Sequence, residues 1–159
     1  MSNILIFGNS ASGKLTLAKK LCRTSGLAHL DLDLLAWQPS SPPQRMPVEA
    51  SAIKIHEFMG SHKDWVIEGC YTDLLEIAAP HSTDMIFMQL PVEACIENAK
   101  RRPWKPHKYQ TAQAQDANLQ MLLEWIAEYP SSTDTFSQSS HLALYQQYTG
   151  QKRIIVKNE

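Results

Sequence analysis

Apolar residues along the chain occur in two patterns, short continuous runs and helical repeats. Five runs are too short for helices and predict buried strands, at residues 3–7, 27–32, 65–68, 85–90 and 153–156. Apolar residues that recur every three or four positions predict five helices, at residues 14–25, 48–61, 91–102, 119–130 and 141–148. This alternation predicts an α/β fold in which helices cover both faces of a parallel sheet and ligands bind at the carboxyl ends of the strands.

Length and composition limit the class of protein. A chain of 159 residues is the size of one compact domain. Its 15 basic and 16 acidic residues give a net charge of -1, and no recognition helix is evident, so direct nucleic-acid binding is not expected. Three widely spaced cysteines fit reduced thiols better than a disulfide framework. The sequence shows neither a secretory leader nor a long apolar segment, so we expect a soluble, cytoplasmic protein without a membrane partner.

The string GNSASGK joins the first predicted strand to the first predicted helix and fits the pattern G-x-x-x-x-G-K. Glycines let backbone N–H groups turn inward around phosphate oxygens, the lysine reaches the outer phosphates, and the helix N-terminus adds partial positive charge. The flanking strand and helix make an incidental glycine turn a weak alternative. We therefore predict a P-loop that binds ATP or another nucleoside triphosphate through Gly8, Asn9, Ser10, Ala11, Ser12, Gly13, Lys14, Leu15 and Thr16.

One position departs from the P-loop pattern. The residue after Lys14 should be serine or threonine, whose hydroxyl joins the Mg²⁺ shell, but the chain has Leu15 there and Thr16 one position later. Leucine offers no oxygen to a cation that demands octahedral oxygen coordination. Two functions therefore remain open. One is an ATP- and Mg²⁺-dependent phosphotransferase acting on a small molecule, and the other is a nucleotide-binding module with weakened turnover.

Further motifs extend the pattern over nearly the whole chain. They are HLDLDLLAW at 29–37, WVIEGCY at 65–71, DMIFMQLP at 84–91 and KRRPW at 100–104. Together with the P-loop they resemble the small P-loop kinases, namely adenylate and shikimate kinases, and most closely the adenylate-kinase-like proteins often labelled DNA topology modulation proteins. The resemblance implies a three-layer fold with a five-stranded parallel sheet of order 2-3-1-4-5. It also implies an acceptor-side insertion over residues 37–62 and a mobile lid over residues 101–112.

The resemblance implies roles for three acidic residues that follow the strands. Asp31 would support Mg²⁺ through water, and Asp33 would orient the acceptor hydroxyl. Glu68 matches the acidic residue that P-loop kinases place near the metal. A plainer alternative exists for each, because acidic residues at the end of a strand are also solvated or cap a helix.

Basic residues in the predicted lid match a second part of the family pattern. Arg101 and Arg102 would stabilise the charge that develops on the phosphoryl group during transfer, with Lys105 and Lys108 nearby. A guanidinium suits this role because it pairs with phosphate through two parallel hydrogen bonds. The alternative is a solvated basic run that favours the helix dipole.

Further candidate residues lie on the predicted acceptor side. Trp37 would stack on a ring and Arg45 would bind an anionic group of the acceptor, with Gly69 and Tyr71 beside them; packing and surface solvation are the alternatives. Adenylate kinases carry a proline and an arginine after the glycine of the third-strand motif, and shikimate kinases carry a glycine cluster there. Here Gly69 is followed by Cys70 and Tyr71, so neither AMP nor shikimate is supported as the acceptor.

Overall fold

Seven strands and eight helices make up the part of the chain that the computed structural model describes, residues 1–39, 44–106 and 109–158. The strands are β1 (Asn3–Gly8), β2 (Ala28–Asp31), β3 (Trp37–Gln38), β4 (Gln44–Arg45), β5 (Trp65–Gly69), β6 (Asp84–Met88) and β7 (Gln151–Ile155). The helices are α1 (Lys14–Ser25), α2 (Asp33–Ala36), α3 (Val48–Ser61), α4 (Thr72–Ala78), α5 (Val92–Arg101), α6 (Ala112–Ala117), α7 (Leu119–Glu128) and α8 (Gln138–Gln147), and a 3-10 turn (Ala79–His81) follows α4. None of the described helices is both long and apolar enough to cross a membrane.

Five of the strands form one parallel sheet in the order β2-β5-β1-β6-β7. Numbered along the chain, the strands of this sheet stand in the order 2-3-1-4-5, which confirms the predicted α/β fold and strand order. β1 lies at the centre, with Ile6 opposite Glu68 of β5 on one side and Ile86 of β6 on the other. Because the strand order changes direction beside β1, loops at its carboxyl end separate and open a crevice.

Helices cover both faces of this sheet, and the central strands are apolar on both sides for that reason. On one face Phe7 and Phe87 stack with their ring centroids 5.0 Å apart, in a core that α3, α4 and α8 complete. On the other face Ile6 and Val66 pack in a core with Ala18 of α1, together with residues of α5 and α7. Burial on both faces explains why these strands are continuous apolar runs in the sequence.

Some elements of the structure were not predicted. α2, α4, α6 and the β3–β4 hairpin are too short to show a repeating apolar pattern. α8 begins at Gln138 rather than at residue 141, because the Ser137 hydroxyl accepts a hydrogen bond from the Ser140 amide and caps the helix. Residues 138–140, which lie outside the predicted helix 141–148, therefore form the first turn of α8.

A buried histidine joins α8 to α7 and to the end of β5. The Nε2 atom of His141 donates a hydrogen bond to the Cys70 carbonyl oxygen at 2.7 Å, and its Nδ1 atom accepts one from the Tyr129 hydroxyl at 2.7 Å. His141 has no solvent-exposed surface, and this burial lowers its pKa from 6.5 to about 4. The ring is therefore neutral near neutral pH and fastens the segment after β5 to the core.

Lowering the pH from about 7 to about 5 should reduce the free energy of unfolding by about 2 kcal/mol through His141 alone. The unfolded chain takes up a proton at this residue below its ordinary pKa of 6.5, whereas the folded chain resists protonation until the pH approaches about 4. Urea unfolding of the parent and of His141→Gln at both pH values measures the difference. The variant should lose less stability than the parent, while His62→Gln, at an exposed histidine, should lose as much as the parent. Equal losses in all three proteins would contradict the prediction.

Candidate functional site

The loop between β1 and α1 bends through three residues with positive φ: Gly8 at 152°, Ala11 at 59° and Gly13 at 99°. A β-carbon at Gly8 would lie 2.4 Å from the Met88 carbonyl oxygen, so only glycine lets the loop pass this close to β6. Gly13 precedes α1 and provides no side-chain cap, so the first-turn N–H groups of the helix face the loop. The result is a curved stretch of backbone suited to binding an anion.

The side chain of Lys14 folds back onto the backbone of the P-loop. Its side chain is largely buried, and its ammonium donates to the Asn9 carbonyl oxygen at 2.7 Å. The Asn9 side chain donates in turn to the Ile126 carbonyl oxygen of α7 at 3.1 Å, which ties the loop to the helical layer. The hydroxyl of Ser12 is buried and has no hydrogen-bond partner among the described residues. A buried polar group of this kind suits a phosphate oxygen.

Two asparagines outside the motif donate hydrogen bonds to backbone carbonyl groups of the P-loop. Asn98 of α5 donates to the Ala11 carbonyl oxygen at 3.0 Å and to the Asn158 side-chain oxygen at 2.7 Å. Asn158 donates to the Ser12 carbonyl oxygen at 3.1 Å. Sequence analysis did not select either residue, because each is remote in sequence from its loop partner, by 87 and 146 positions, and belongs to no motif.

Two acidic residues at the ends of β2 and β5 lie beside the P-loop. Asp31 and Glu68 are register neighbours in the sheet, and both are buried. Asp31 accepts a hydrogen bond from the Asp33 amide at 2.9 Å at the start of α2. Glu68 pairs with the Nε2 atom of His29 at 3.1 Å. Burial raises the pKa of Glu68; the His29 hydrogen bond and the charge of Lys14 oppose this rise, and the charges of Asp31 and Asp33 add to it.

Three of the predicted acceptor-side residues form one hydrogen-bonded chain. The Tyr71 hydroxyl donates to the carboxylate of Asp33 and accepts from the Trp37 indole nitrogen at 2.8 Å. Burial raises the pKa of Tyr71 above its usual value, so the hydroxyl remains a donor. Gly69 lies just before this group, where a β-carbon would come 2.8 Å from that of Leu32. The close packing of β5 on the start of α2 thus needs a residue without a side chain.

An open cleft with a volume of about 1950 Å³ runs between these groups. The predicted site residues that line it are Ser10, Ala11, Gly13, Lys14, Leu15, Thr16, Asp33, Trp37, Glu68, Gly69, Tyr71, Arg101 and Arg102. Those outside the lining are Gly8, Asn9, Ser12, Asp31 and Arg45. The structure therefore brings the P-loop, two carboxylates and the basic segment after α5 to a common cleft.

Arg45 contacts a carboxylate away from the cleft lining. Its guanidinium donates to both carboxylate oxygens of Asp73, at 3.1 and 3.2 Å, and its Nε atom donates to the Ala36 carbonyl oxygen at 3.2 Å. The same guanidinium lies 5.0 Å from the ring centroid of Tyr71 and 5.9 Å from that of Trp37. Arg45 thus supports the rings of the acceptor side from outside the cleft.

The basic segment after α5 borders the cleft where a lid was predicted. Arg101 ends α5 and is exposed, and Arg102 follows it. The buried side chain of Gln115 in α6 accepts a hydrogen bond from the Lys105 amide at 2.9 Å, which fastens this segment to the following helix. Lys108, also predicted for the lid, lies outside the described residues.

Few side chains among the described residues are placed to act as ligands of a metal ion. Within residues 1–39, 44–106 and 109–158, no three or more histidine, cysteine, aspartate or glutamate side chains are arranged to hold a metal ion by themselves. Leu15 lines the cleft where a hydroxyl was expected, and Thr16 is exposed on α1. A Mg²⁺ ion beside Asp31 and Glu68 would therefore take most of its ligands from phosphate oxygens and water.

Comparison with known proteins bears on the fold. No family model and no curated protein matches the sequence. Among solved structures, a sugar kinase from a Janibacter species matches with a TM-score of 0.51 at 16% identity, covering 82% of this chain and 97% of that one. The shikimate kinase from Bacteroides thetaiotaomicron matches with a TM-score of 0.50 at 15% identity, covering 91% of this chain and 97% of that one. At these identities the likeness shows the fold alone: the chain is similar in fold to these small-molecule kinases.

Proposed function

We propose that this chain is a P-loop kinase that transfers the γ-phosphoryl group of ATP to a hydroxyl of a small molecule. The observation that carries the proposal is the meeting of the P-loop, the carboxylates of Asp33 and Glu68, and an arginine-bearing segment around one cleft. The cleft lies at the carboxyl ends of the central strands, where α/β proteins bind ligands. Within this class, the motifs HLDLDLLAW and WVIEGCY favour the adenylate-kinase-like proteins labelled DNA topology modulation proteins.

The phosphates of the donor would bind in the P-loop. Lys14 supplies a full positive charge, and the N-terminus of α1 supplies a partial one. The buried Ser12 hydroxyl offers a hydrogen bond, and the glycine turns at Gly8 and Gly13 keep side chains out of the curve of the loop. These groups fit the phosphate end of a nucleotide whatever its base.

Asp31 and Glu68 are the residues that would hold Mg²⁺, Asp31 through water. Glu68 is buried next to other carboxylates, and a divalent cation relieves that electrostatic cost. The bound ion would neutralise charge on the phosphate oxygens. Leu15 adds no oxygen, so phosphates and water would complete the shell.

Asp33 and the arginines after α5 would act at the other end of the transferred group. The Tyr71 hydroxyl holds the Asp33 carboxylate in one orientation, which suits it to receive the hydrogen bond of an acceptor hydroxyl. Arg101 and Arg102 would stabilise the charge on the transferred oxygens. Catalysis of this kind depends mainly on positioning and electrostatics.

Replacing Lys14 with alanine should weaken ATP binding at least about tenfold, because a full positive charge leaves the phosphate site. Calorimetric titration of ATP at fixed ionic strength measures the effect. Lys54→Ala, which removes an exposed lysine of α3 outside the cleft lining, is the matched control and should bind ATP as the parent does. The P-loop assignment is wrong if Lys14→Ala binds as tightly as the parent, or if the parent does not bind ATP at millimolar concentration.

A nucleotide-binding module without turnover is the second candidate, favoured by Leu15 at the hydroxyl position. Leu15→Ser should strengthen Mg²⁺-dependent ATP binding by about threefold to tenfold, because it restores an oxygen to the metal shell. Titrations with and without Mg²⁺ test this, with Leu15→Ala as the control that changes size without adding a hydroxyl. Equal metal dependence in the serine and alanine variants would show that the ion is held without this hydroxyl. Phosphoryl transfer by the parent would reject the second candidate.

A further inference from the structure

The segment that follows β7 lies against the P-loop. The carbonyl oxygen of Ile155, the last residue of β7, accepts a hydrogen bond from the Gln89 amide at 2.8 Å, which holds the end of this strand beside the end of β6. Three residues later, Asn158 is so close to the loop that a β-carbon at Gly13 would come 2.6 Å from its side-chain nitrogen. Lys157 and Asn158 both line the cleft. The P-loop therefore has a neighbour that its own motif does not contain.

Asn98 and Asn158 form a continuous chain of hydrogen bonds with the P-loop, named here the asparagine clamp. The side-chain nitrogen of Asn98 donates to the Ala11 carbonyl oxygen at 3.0 Å and to the side-chain oxygen of Asn158 at 2.7 Å. The side-chain nitrogen of Asn158 donates to the Ser12 carbonyl oxygen at 3.1 Å. The clamp thus binds two consecutive carbonyl groups of the loop from α5 and from the segment after β7.

Fixing a carbonyl group also fixes the N–H group of the next residue. In a planar trans peptide the C=O bond and the following N–H bond point in opposite directions. Because the Ala11 carbonyl points toward Asn98, the Ser12 N–H points to the other side of the loop. The Ser12 N–H donates there to the Asn9 carbonyl oxygen at 3.2 Å, and the same oxygen accepts from the Lys14 ammonium. The clamp therefore directs this N–H group to the side of the loop where the lysine lies.

The second carbonyl of the clamp has the same effect on the next peptide group. Asn158 binds the Ser12 carbonyl oxygen, so the Gly13 N–H points away from Asn158. Gly13 precedes the first turn of α1, whose N–H groups face the loop. N–H groups that converge in this way are the donors that a phosphate oxygen needs. The clamp thus acts on the phosphate-binding groups of the loop through its backbone.

The conformation of Ala11 shows why the loop needs this support. Its φ of 59° lies in the left-handed region, which residues with a side chain rarely adopt. Such a conformation persists only where the surroundings hold it. The hydrogen bond from Asn98 to the carbonyl oxygen of Ala11 is a contact of this kind. Without it, the peptide group between Ala11 and Ser12 is less restrained, and its N–H group loses a fixed direction.

We infer that Asn98 and Asn158 are positioning residues for the phosphates of the nucleotide. The inference rests on the proposed function of the P-loop and extends phosphate binding to α5 and to the segment after β7. The two asparagines act through the amides of Ser12 and Gly13. Their effect is therefore on the phosphate chain and is independent of the base.

Inorganic tripolyphosphate tests the inference on the full chain, because it has the phosphate chain of ATP without the nucleoside. Asn98→Ala and Asn158→Ala should each raise the Kd about threefold to tenfold, by the same factor for ATP and for tripolyphosphate, because each removes hydrogen bonds that orient the loop amides. Calorimetric titration of both ligands at fixed ionic strength and Mg²⁺ concentration measures these factors.

Gln151→Ala is the matched control for these titrations. It removes an exposed side-chain amide of β7 that lies outside the cleft lining, and it should bind both ligands as the parent does. Parent-like Kd values in both asparagine variants would overturn the inference. A loss for ATP without a loss for tripolyphosphate would also overturn it, because the asparagines would then contact the nucleoside instead of ordering the loop.

A double variant and a stability measurement separate positioning from a general weakening of the fold. The two asparagines share one hydrogen bond, so the Kd of Asn98→Ala/Asn158→Ala should rise by less than the product of the two single factors. Independent factors would reject the clamp as a unit. Urea unfolding finds a temperature at which every variant is folded, and the titrations are made there. Because Asn158 is exposed, its replacement should leave the urea midpoint near that of the parent.

The Lys14→Ala variant separates this inference from the proposed function. If binding of ATP and tripolyphosphate depends on Lys14 but is unchanged in the asparagine variants, the P-loop assignment stands and the clamp is rejected. If binding depends on Lys14 and weakens equally for both ligands in the asparagine variants, both are supported. A parent protein that binds neither ligand would overturn both.

Discussion

The close approach of the P-loop to the end of β6 is the constraint on which the site depends. The Met88 carbonyl oxygen occupies the space that a side chain at Gly8 would need. Glycine at this position lets the chain turn immediately after β1, and the left-handed Gly13 then directs the N-terminus of α1 toward the carboxyl ends of the central strands. A larger residue at Gly8 would move the loop away from β6 and would carry Lys14 with it.

Two carboxylates beside this loop lie in different surroundings, and this difference supports different roles. Glu68 is buried, next to Asp31 and within the field of Lys14, where a carboxylate is costly without a nearby cation. Asp33 is less buried and accepts a hydrogen bond from the Tyr71 hydroxyl, which orients it toward the cleft that it lines. This difference supports the proposal that Glu68 would hold a cation and that Asp33 would bind the acceptor hydroxyl.

Elements with long apolar patterns were predictable from the sequence, and short ones were not. The helices Lys14–Ser25 and Val48–Ser61 have the predicted bounds because each contains three or more turns with one buried face. The hairpin of β3 and β4 is too brief to carry a periodic signal, and it forms because Trp37 pairs with Arg45 in a particular tertiary setting. The start of α8 depends on the cap by Ser137, and residues 131–140 contain several serine and threonine side chains that could cap a helix or lie in a loop.

The sequence by itself determined the parallel sheet and the P-loop, because both depend on residues that are contiguous: an apolar run, the glycines of 8–14 and an amphipathic helix. Only the tertiary structure decided the partners of charged and polar side chains. Arg45 was predicted to bind an anionic group of the acceptor, with packing as the alternative, and in the structure its guanidinium binds Asp73, 28 positions away. Asn158 reaches the P-loop across 146 positions. Such contacts depend on which elements pack together, and that packing cannot be predicted from a local pattern of residues.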